Sequence, residues 1–437
     1  MKPQYGDNVK VHTADAVYEG ILMPRPEIFE KGFAIVKLDN GYNIGIDEQK
    51  IKKIELVKKY ERKEGQNQSP GHKKGLPLVS MLSFGGTISS KVDYRTGGAY
   101  ADYTAQDFVA MMPELENIAN LRAQKVMGIM SEDMSPDDWQ VMARRIGKEL
   151  NDDEVAGVVV TQGTDTLHFS TAAMSFFLRG INKPVIFTAA QRSIDRGSSD
   201  AFFNLLCAVN SASKFDGAIV ATCMHGTTND DYCFLIRGTK VRKMHTSRRD
   251  AFRPINELPL AKVYGDGKIE ILNASYERKK FSEEKPFSKV IVDDKFERKT
   301  ALVYVYPGMN PDIFDYYLEK KYRGIVIAAT ALGHVPTTNP KYSLLKKLEQ
   351  LIENNVAVLI STQAIYGRVH PYVYTNLRKL SVQLGCIFAE DMLPETAYAK
   401  LGWVLGHTHK IEEARNMMLT NYSGEISERS AQESFLL

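Results

Sequence analysis

Residues 156 to 168, Ala-Gly-Val-Val-Val-Thr-Gln-Gly-Thr-Asp-Thr-Leu-His, most constrain what this chain can fold into. Val158, Val159 and Val160 form an apolar, β-branched run without polar alternation, the pattern of a strand covered on both faces. A polar loop follows, and then Phe169, Ala172, Ala173, Phe176 and Phe177 recur at the spacing of an apolar helix face. Strand, loop and helix in that order predict an α/β unit, and ligands of open α/β sheets bind beyond the carboxyl ends of the strands. Gly163 lets the backbone come close to a ligand. Thr164, Asp165 and Thr166 place hydroxyls and a carboxylate where helix N–H groups are free. Thr and Asp are also ordinary N-cap residues, so this stretch alone leaves a plain capping role open.

Two further stretches point at the same face. Residues 78–84 form another strand-like run, closed by Gly85-Gly86-Thr87-Ile88, so two strand ends each offer a Gly followed by a Thr. Residues 238–246, Gly-Thr-Lys-Val-Arg-Lys-Met-His-Thr, can bring a lysine to it.

The chain has 437 residues, 43% hydrophobic and 25% charged, an ordinary globular composition with length for two or three domains. Residues 6–58 read as about five short strands with a hairpin signal at Asp39-Asn40-Gly41. They predict a small SH3-like or Sm-like β-barrel over 1–60. Residues 61–76 have almost nothing to bury and read as a linker. From 77 to 262, strand-like runs at 78–84, 156–161, 184–188 and 217–223 alternate with helical patterns at 105–112, 136–150, 166–179 and 200–213. Such alternation predicts a doubly wound, mostly parallel sheet. Residues 263–300 read as a crossover with a hairpin at Gly265-Asp266-Gly267. A smaller α/β unit follows over 301–425, and 426–437 form a tail.

A net charge of +3 is too small to argue for nucleic acid. Cys207, Cys223, Cys233 and Cys386 show no zinc spacing and read as buried thiols of a reducing compartment. Cys223 and His225 without further ligands make a poor metal site. Nothing resembles an export signal or an apolar run of the ~20 residues a membrane span needs, so a cytoplasmic location is expected. No GxxxxGK[ST] loop occurs, so ATP chemistry is not placed in this chain.

GGTI at 85–88, SEDM at 131–134, TQGTDT at 161–166 and VRKMHT at 241–246 together resemble the L-asparaginase/glutaminase family, in that family's order and approximate spacing. The resemblance covers residues 77 to about 425. The N-terminal extension, TSRRDAF at 246–252 and AEDMLPETAY at 389–398 resemble, within it, the D subunits of archaeal glutamyl-tRNA(Gln) amidotransferases. The resemblance implies a two-domain asparaginase-like fold behind the barrel, and an amidase that releases ammonia from glutamine or asparagine. It implies a partner E subunit that uses this ammonia, with ATP and Mg, to convert Glu-tRNA(Gln) to Gln-tRNA(Gln). It also implies a homodimer of this chain within a heterotetramer, no cofactor or metal of its own, and tRNA held mainly by the partner.

Residue by residue, Thr87 matches the family's first catalytic threonine, which attacks the amide carbon. Thr164, Asp165 and Lys243 match the second cluster, with lysine easing deprotonation of the threonine and aspartate holding the lysine. Asp165 also matches the residue that pairs with the substrate α-amino group, and Ser131 the α-carboxylate binder. Glu132 stands where many asparaginases have Gln. The N–H groups of Gly163 and Thr164 are natural carboxylate or oxyanion donors. Which threonine acts in which step stays open.

The pattern departs in the loop after Thr87, where many asparaginases place a catalytic tyrosine. Tyr94, Tyr100 and Tyr103 all lie there, with Tyr100 favoured on spacing. The basic run Arg237, Lys240, Arg242, Lys243, Arg248 and Arg249 reads as tRNA-binding, as a solvated face, or, for Lys243, as catalytic. His225 and His245 read as ordinary loop residues. A free cytosolic L-asparaginase and a non-catalytic RNA- or partner-binding module are the rival functions. The extension at 1–60 argues against the first, and Thr87, Thr164, Asp165 and Lys243 together against the second.

Overall fold

The computed structural model describes residues 3–24, 32–40, 42–59, 73–86, 90–92, 99–101, 112–192, 194, 198–279 and 288–435. Strands β1 (Asn8–His12), β2 (Val17–Met23), β3 (Phe33–Lys37), β4 (Asn43–Asp47) and β5 (Lys53–Lys58) form an antiparallel sheet of order β4-β3-β2-β1-β5. Val9, Val11, Leu22, Val36 and Ile46 make its small core. The strands flanking residues 39–41 pair as a hairpin, as that turn signal predicts.

The main sheet is built by β6 (Leu78–Gly85), β9 (Asn120–Ile129), β10 (Val155–Thr161), β12 (Val185–Thr188), β13 (Val220–His225), β14 (Cys233–Arg237), β17 (Ala261–Val263) and β18 (Ile269–Ile271). Its order is β18-β17-β14-β13-β12-β10-β6-β9. β9, β6, β10, β12 and β13 run parallel, and the other three add an antiparallel edge. The hairpin expected at Gly265-Asp266-Gly267 is that edge. Between the sheet strands lie two short ribbons, β7 (Ser90–Val92) with β8 (Ala99–Ala101), and β15 (Val241–Lys243) with β16 (Phe252–Pro254). β11 (Leu178–Arg179) pairs with β19 (Ile291–Val292).

Helices α1 (Pro136–Leu150), α2 (Leu167–Phe177) and α3 (Ala201–Lys214) cover this sheet. α1 starts as its sequence dictates, with Pro136 in the first turn and the Ser135 N–H donating to the Asp138 carboxylate at 2.9 Å. Val158 and Val160 pack into the core shared with α1 and α2, and Val159 into the core shared with α3. Two covered faces explain the unbroken valine run. β9 carries no such run; Arg122, Gln124 and Lys125 interrupt it at the edge of the sheet, where one flank has no strand beside it among the described residues.

A second, fully parallel sheet joins β20 (Thr300–Tyr304), β21 (Gly324–Ala329), β22 (Ala357–Thr362) and β23 (Ile387–Phe388). α4 (Ile313–Glu319) and α5 (Leu345–Glu353) cover one face, and α6 (Thr375–Arg378) carries the chain toward β23. α7 (Pro394–Leu405) and α8 (Ile411–Leu419) complete the unit. α7 packs against both α2 and β21, so one core spans the two α/β units. Phe296 sits at the join, its ring edge-on to Trp139, Phe177 and Tyr398 at centroid distances of 5.8, 6.2 and 5.9 Å. The helix expected at 105–112 lies outside the described residues but for Met112.

Phe296→Ala empties the point where three elements and both units meet. Its expected cost is about 3–5 kcal/mol, the range for deleting a buried aromatic ring, read as a lower denaturation midpoint with little change in slope.

Candidate active site

Three neighbouring strands, β10, β6 and β9, end side by side, and their loops cross at very short range. Gly85 and Gly86 have φ of +97° and +84°, a region that side chains other than glycine's rarely adopt. A Cβ on Gly86 would collide with the N and Cα of Gly163, and a Cβ on Gly163 would stand 2.6 Å from Ser131 Oγ. Ser131 opens a single 3₁₀ turn, Ser131–Asp133, directly after β9. The loop glycines therefore bring residues 85–86, 131 and 162–165 within contact of one another.

The helix cap falls on Thr166. Its hydroxyl donates to the Ser131 carbonyl at 2.6 Å, and the Asp165 N–H donates to Ser131 Oγ at 3.3 Å. Thr164 and Asp165 are thereby released from capping. Their partner is Lys243, the last residue of β15, whose Nζ donates to Thr164 Oγ1 at 2.8 Å and to Asp165 Oδ1 at 2.7 Å. The lysine side chain is only 11% exposed, whereas the Asp165 carboxylate is 61% exposed. A half-wet carboxylate thus fixes a largely dry ammonium against a threonine hydroxyl. That arrangement can keep the hydroxyl hydrogen-bonded and move a proton between oxygen and nitrogen.

Among the other expected site residues, Glu132 is exposed in the turn beside Ser131. Thr87, Tyr94 and Tyr103 lie outside the described residues, although Gly86, immediately before Thr87, touches Gly163. Tyr100 belongs to β8, opposite Lys91. Among the described residues no group of three or more His, Cys, Asp and Glu is placed to hold a metal ion, and no helix is long and apolar enough to cross a membrane.

Three family descriptions match the chain: "GatD N-terminal domain" at 4–57, "Asparaginase, N-terminal" at 78–276 and "Glutaminase/Asparaginase C-terminal domain" at 299–418. The D subunit of the glutamyl-tRNA(Gln) amidotransferase from Pyrococcus furiosus is 47% identical over 98% of this chain and 95% of its own. This chain belongs to the family of those D subunits. The corresponding protein of Methanothermobacter thermautotrophicus is 45% identical over 98% of this chain and 94% of its own. Among solved structures, the L-asparaginase of Thermococcus kodakarensis is similar over 80% of this D-subunit chain and 99% of its own, at 28% identity and a TM-score of 0.69. The asparaginase architecture therefore lies behind the N-terminal sheet of this family member.

In this chain the cations of the basic run are engaged in ion pairs, and Arg248 alone among them stays exposed. Arg237 pairs with Glu257, Lys240 with Asp391, Arg242 with Glu395, Lys243 with Asp165, Arg248 with Asp250 and Arg249 with Asp230. Each cation already has a carboxylate, which lowers the charge this stretch offers to a phosphate. His225 is not a loop residue. It lies buried in β13 between Asn204 Oδ1 at 2.6 Å and Asp230 Oδ1 at 2.9 Å. All four cysteines are buried, and burial pushes the Cys233 thiol well up, with Cys207 and Cys223 adding to the rise.

Sequence reasoning overlooked a polar group behind Lys243. Arg242 reaches Glu395 at 3.1 Å and the Tyr304 hydroxyl at 3.5 Å; burial raises the Glu395 carboxyl. His168 is buried in the first turn of α2 with Nδ1 unpaired. Its position at the end of the opening strand–loop–helix stretch, two residues after Thr166, was the available signal. Burial, and then the charges of Arg242 and Lys243, push His168 down to about 3, against an opposing pull from Asp165.

In the unfolded chain His168 takes up a proton below about 6.5, whereas the folded site refuses it until near 3. Stability is thus lost as pH falls through that window, by about 2 kcal/mol at pH 5 from this residue. His168→Leu should flatten the decline in unfolding free energy between pH 7 and 5 by that amount. An unchanged slope would mean that His168 takes up its proton in the fold as it does in the unfolded chain.

Proposed function

We propose that this chain is the ammonia-releasing glutaminase subunit of a glutamyl-tRNA(Gln) amidotransferase, and that Thr87, Thr164, Asp165 and Lys243 carry the reaction. The observation that carries the reading is the contact of Lys243 with both Thr164 and Asp165 at 2.8 and 2.7 Å, beside the glycine that precedes Thr87. The family's D-subunit name supplies the setting.

In this reading the Thr87 oxygen bonds to the side-chain amide carbon of glutamine. The carbon–nitrogen bond breaks, the hydroxyl proton passes to the departing nitrogen, and ammonia leaves a glutamyl ester on Thr87. Water then hydrolyses the ester, giving glutamate and restoring the hydroxyl. Thr164, held by Lys243, serves as the relay for protons entering and leaving these steps. Asp165 has an exposed carboxylate free to meet the substrate ammonium while its Oδ1 holds the lysine. Ser131 stands at the same loop crossing for the substrate carboxylate, with Glu132 next to it, and the Gly163 and Thr164 N–H groups complete the anion donors. Tyr100 is the loop tyrosine of choice.

The partner is an E subunit that activates Glu-tRNA(Gln) with ATP and Mg and consumes the ammonia. A dimer of this chain within a heterotetramer, in the cytoplasm, is the assembly. The deciding measurement is ammonia release from glutamine and from asparagine, with and without the partner subunit and Glu-tRNA(Gln). Full-rate hydrolysis of asparagine by the isolated chain, with no Gln-tRNA(Gln) from the complex, would establish a free asparaginase instead.

Thr87→Ala should lower glutaminase turnover by about a thousandfold or more, since it removes the covalent route. Ammonium chloride should still support Gln-tRNA(Gln) formation by the mutant complex. Near-normal turnover with unchanged melting would unseat Thr87.

Lys243→Met keeps length, removes the charge and leaves Asp165 without its partner, with an expected loss of about a hundredfold or more. Lys243→Arg separates two roles, because arginine keeps its proton throughout this pH range. Substantial recovery in Arg means a fixed charge is enough, and equal inactivity in Arg and Met means a proton must move. Wild-type rates in both would remove Lys243 from the mechanism.

A further inference from the structure

Lys243 sits on a ribbon only three residues long, paired to β16 through Val241–Pro254, Arg242–Arg253 and Lys243–Phe252. Neither strand of that ribbon pairs with the main sheet. Side chains alternate along a strand, so a slip of one residue would turn Lys243 away from Thr164. Something outside the ribbon has to set its register and height.

The anchor is at the ribbon's base. Lys240 enters the core beneath it, and its Nζ stands 2.7 Å from Asp391 Oδ2 with side-chain exposures of 1% and 0%. Asp391 belongs to the other α/β unit, between β23 and α7, and is itself held. Its Oδ1 accepts the Ser427 N–H at 2.9 Å, and its carbonyl accepts Asn256 Nδ2 at 3.1 Å. The Lys240 carbonyl accepts the Ile255 N–H at 2.8 Å, closing the ribbon on the same residue. Adjacent contacts repeat the pattern: Thr396 Oγ1 donates to the Thr239 carbonyl at 2.9 Å, and Thr239 Oγ1 to the Ser423 carbonyl at 3.1 Å.

We propose that Asp391 is a positioning residue for Lys243, acting through Lys240. The buried ion pair fixes the base of the ribbon to the C-terminal unit, and the ribbon's three-residue register delivers the Lys243 ammonium to Thr164 and Asp165. A site that only needed filling would hold apolar groups, since two charges taken out of water are costly and well-packed hydrophobic replacements are often as stable or more so. The directional bond from Lys240 to a carboxylate with no freedom of its own supplies what apolar contact lacks, a single height and a single register. Of the substrate-holding groups proposed above, Ser131 rides on a loop that does not bear on this pair, and Asp165 meets it only through its bond to Lys243. Its loss should therefore act on turnover rather than on substrate binding.

The inference rests on the glutaminase reading, and the test separates the two. The full complex is assayed with wild-type chain, with Asp391→Asn, and with the double replacement Lys240→Met/Asp391→Leu. Absence of glutamine hydrolysis in the wild-type complex would defeat the glutaminase reading itself. With wild type active, the double variant should melt near wild type, hold the KM for glutamine within about threefold, and lose kcat by about 10–100-fold, the scale of a small misplacement of a catalytic group. Asp391→Asn should show the same kcat loss while ammonium-supported synthesis of Gln-tRNA(Gln) stays at the wild-type rate. Recovery of both melting temperature and kcat in the double variant would make the pair core filling and overturn the proposal. So would a parallel loss of ammonium-supported synthesis, which marks general structural damage, or a change confined to KM.

Discussion

Everything at the candidate site depends on close approaches between loops, with Gly86 against Gly163, Gly163 against Ser131 and Gly85 against Ile129. A Cβ on any of these glycines would overlap its neighbour, so glycine on both loops is a geometric requirement. With the glycines in place, the ends of β6 and β10 lie in van der Waals contact, and Ser131 closes the third side. The parallel pairing that aligns those ends, Thr161 opposite Ser83, is in turn stabilised by two apolar cores, one on each face of the sheet. Chemistry and folding thus share the valine run. Its burial holds the strand, and the strand's end point places Thr164 and Asp165.

The second organising theme is charge placed inside the fold. Lys240–Asp391, Arg242–Glu395 and Arg237–Glu257 draw cations of one short stretch onto carboxylates of other elements. Lys400 and Glu425 make a further fully buried pair at 2.6 Å, with the lysine also donating to the Met418 and Thr420 carbonyls. Taken out of water, such groups stabilise less than they specify, and Lys240–Asp391 and Arg242–Glu395 specify the docking of the C-terminal unit on the N-terminal one.

Much of this was legible in the residues. Unbroken β-branched runs at 78–84 and 156–161 announced buried parallel strands, and Ser135-Pro136 announced a helix start, because those signals are local. β9 was not legible, since Arg122, Gln124 and Lys125 break its apolar pattern at the sheet edge. Thr164, Asp165 and Lys243 could be matched as motifs, and the structure brings them within 3 Å of a common ammonium. The partners of the basic run could not be read, because Lys240 finds its carboxylate 151 residues away. Periodicity carries no information about such pairs. His168 was hidden for a similar reason, since the positive charges that face it, Arg242 and Lys243, come from β15.

The path of the chain's last described segment has a consequence for synthesis. Ser423 donates to the Ser175 carbonyl across 248 residues and accepts from Thr239 across 184, and Ser427 ties to Asp391. A nascent polypeptide emerges from its N-terminus onward, so the strand–loop–helix units bearing Ser131 and Thr164 leave the ribosome long before this strap exists. Until residues 423–427 are made, the base of the β15 ribbon lacks these contacts, so the parts of the site are synthesised before the segment that braces them.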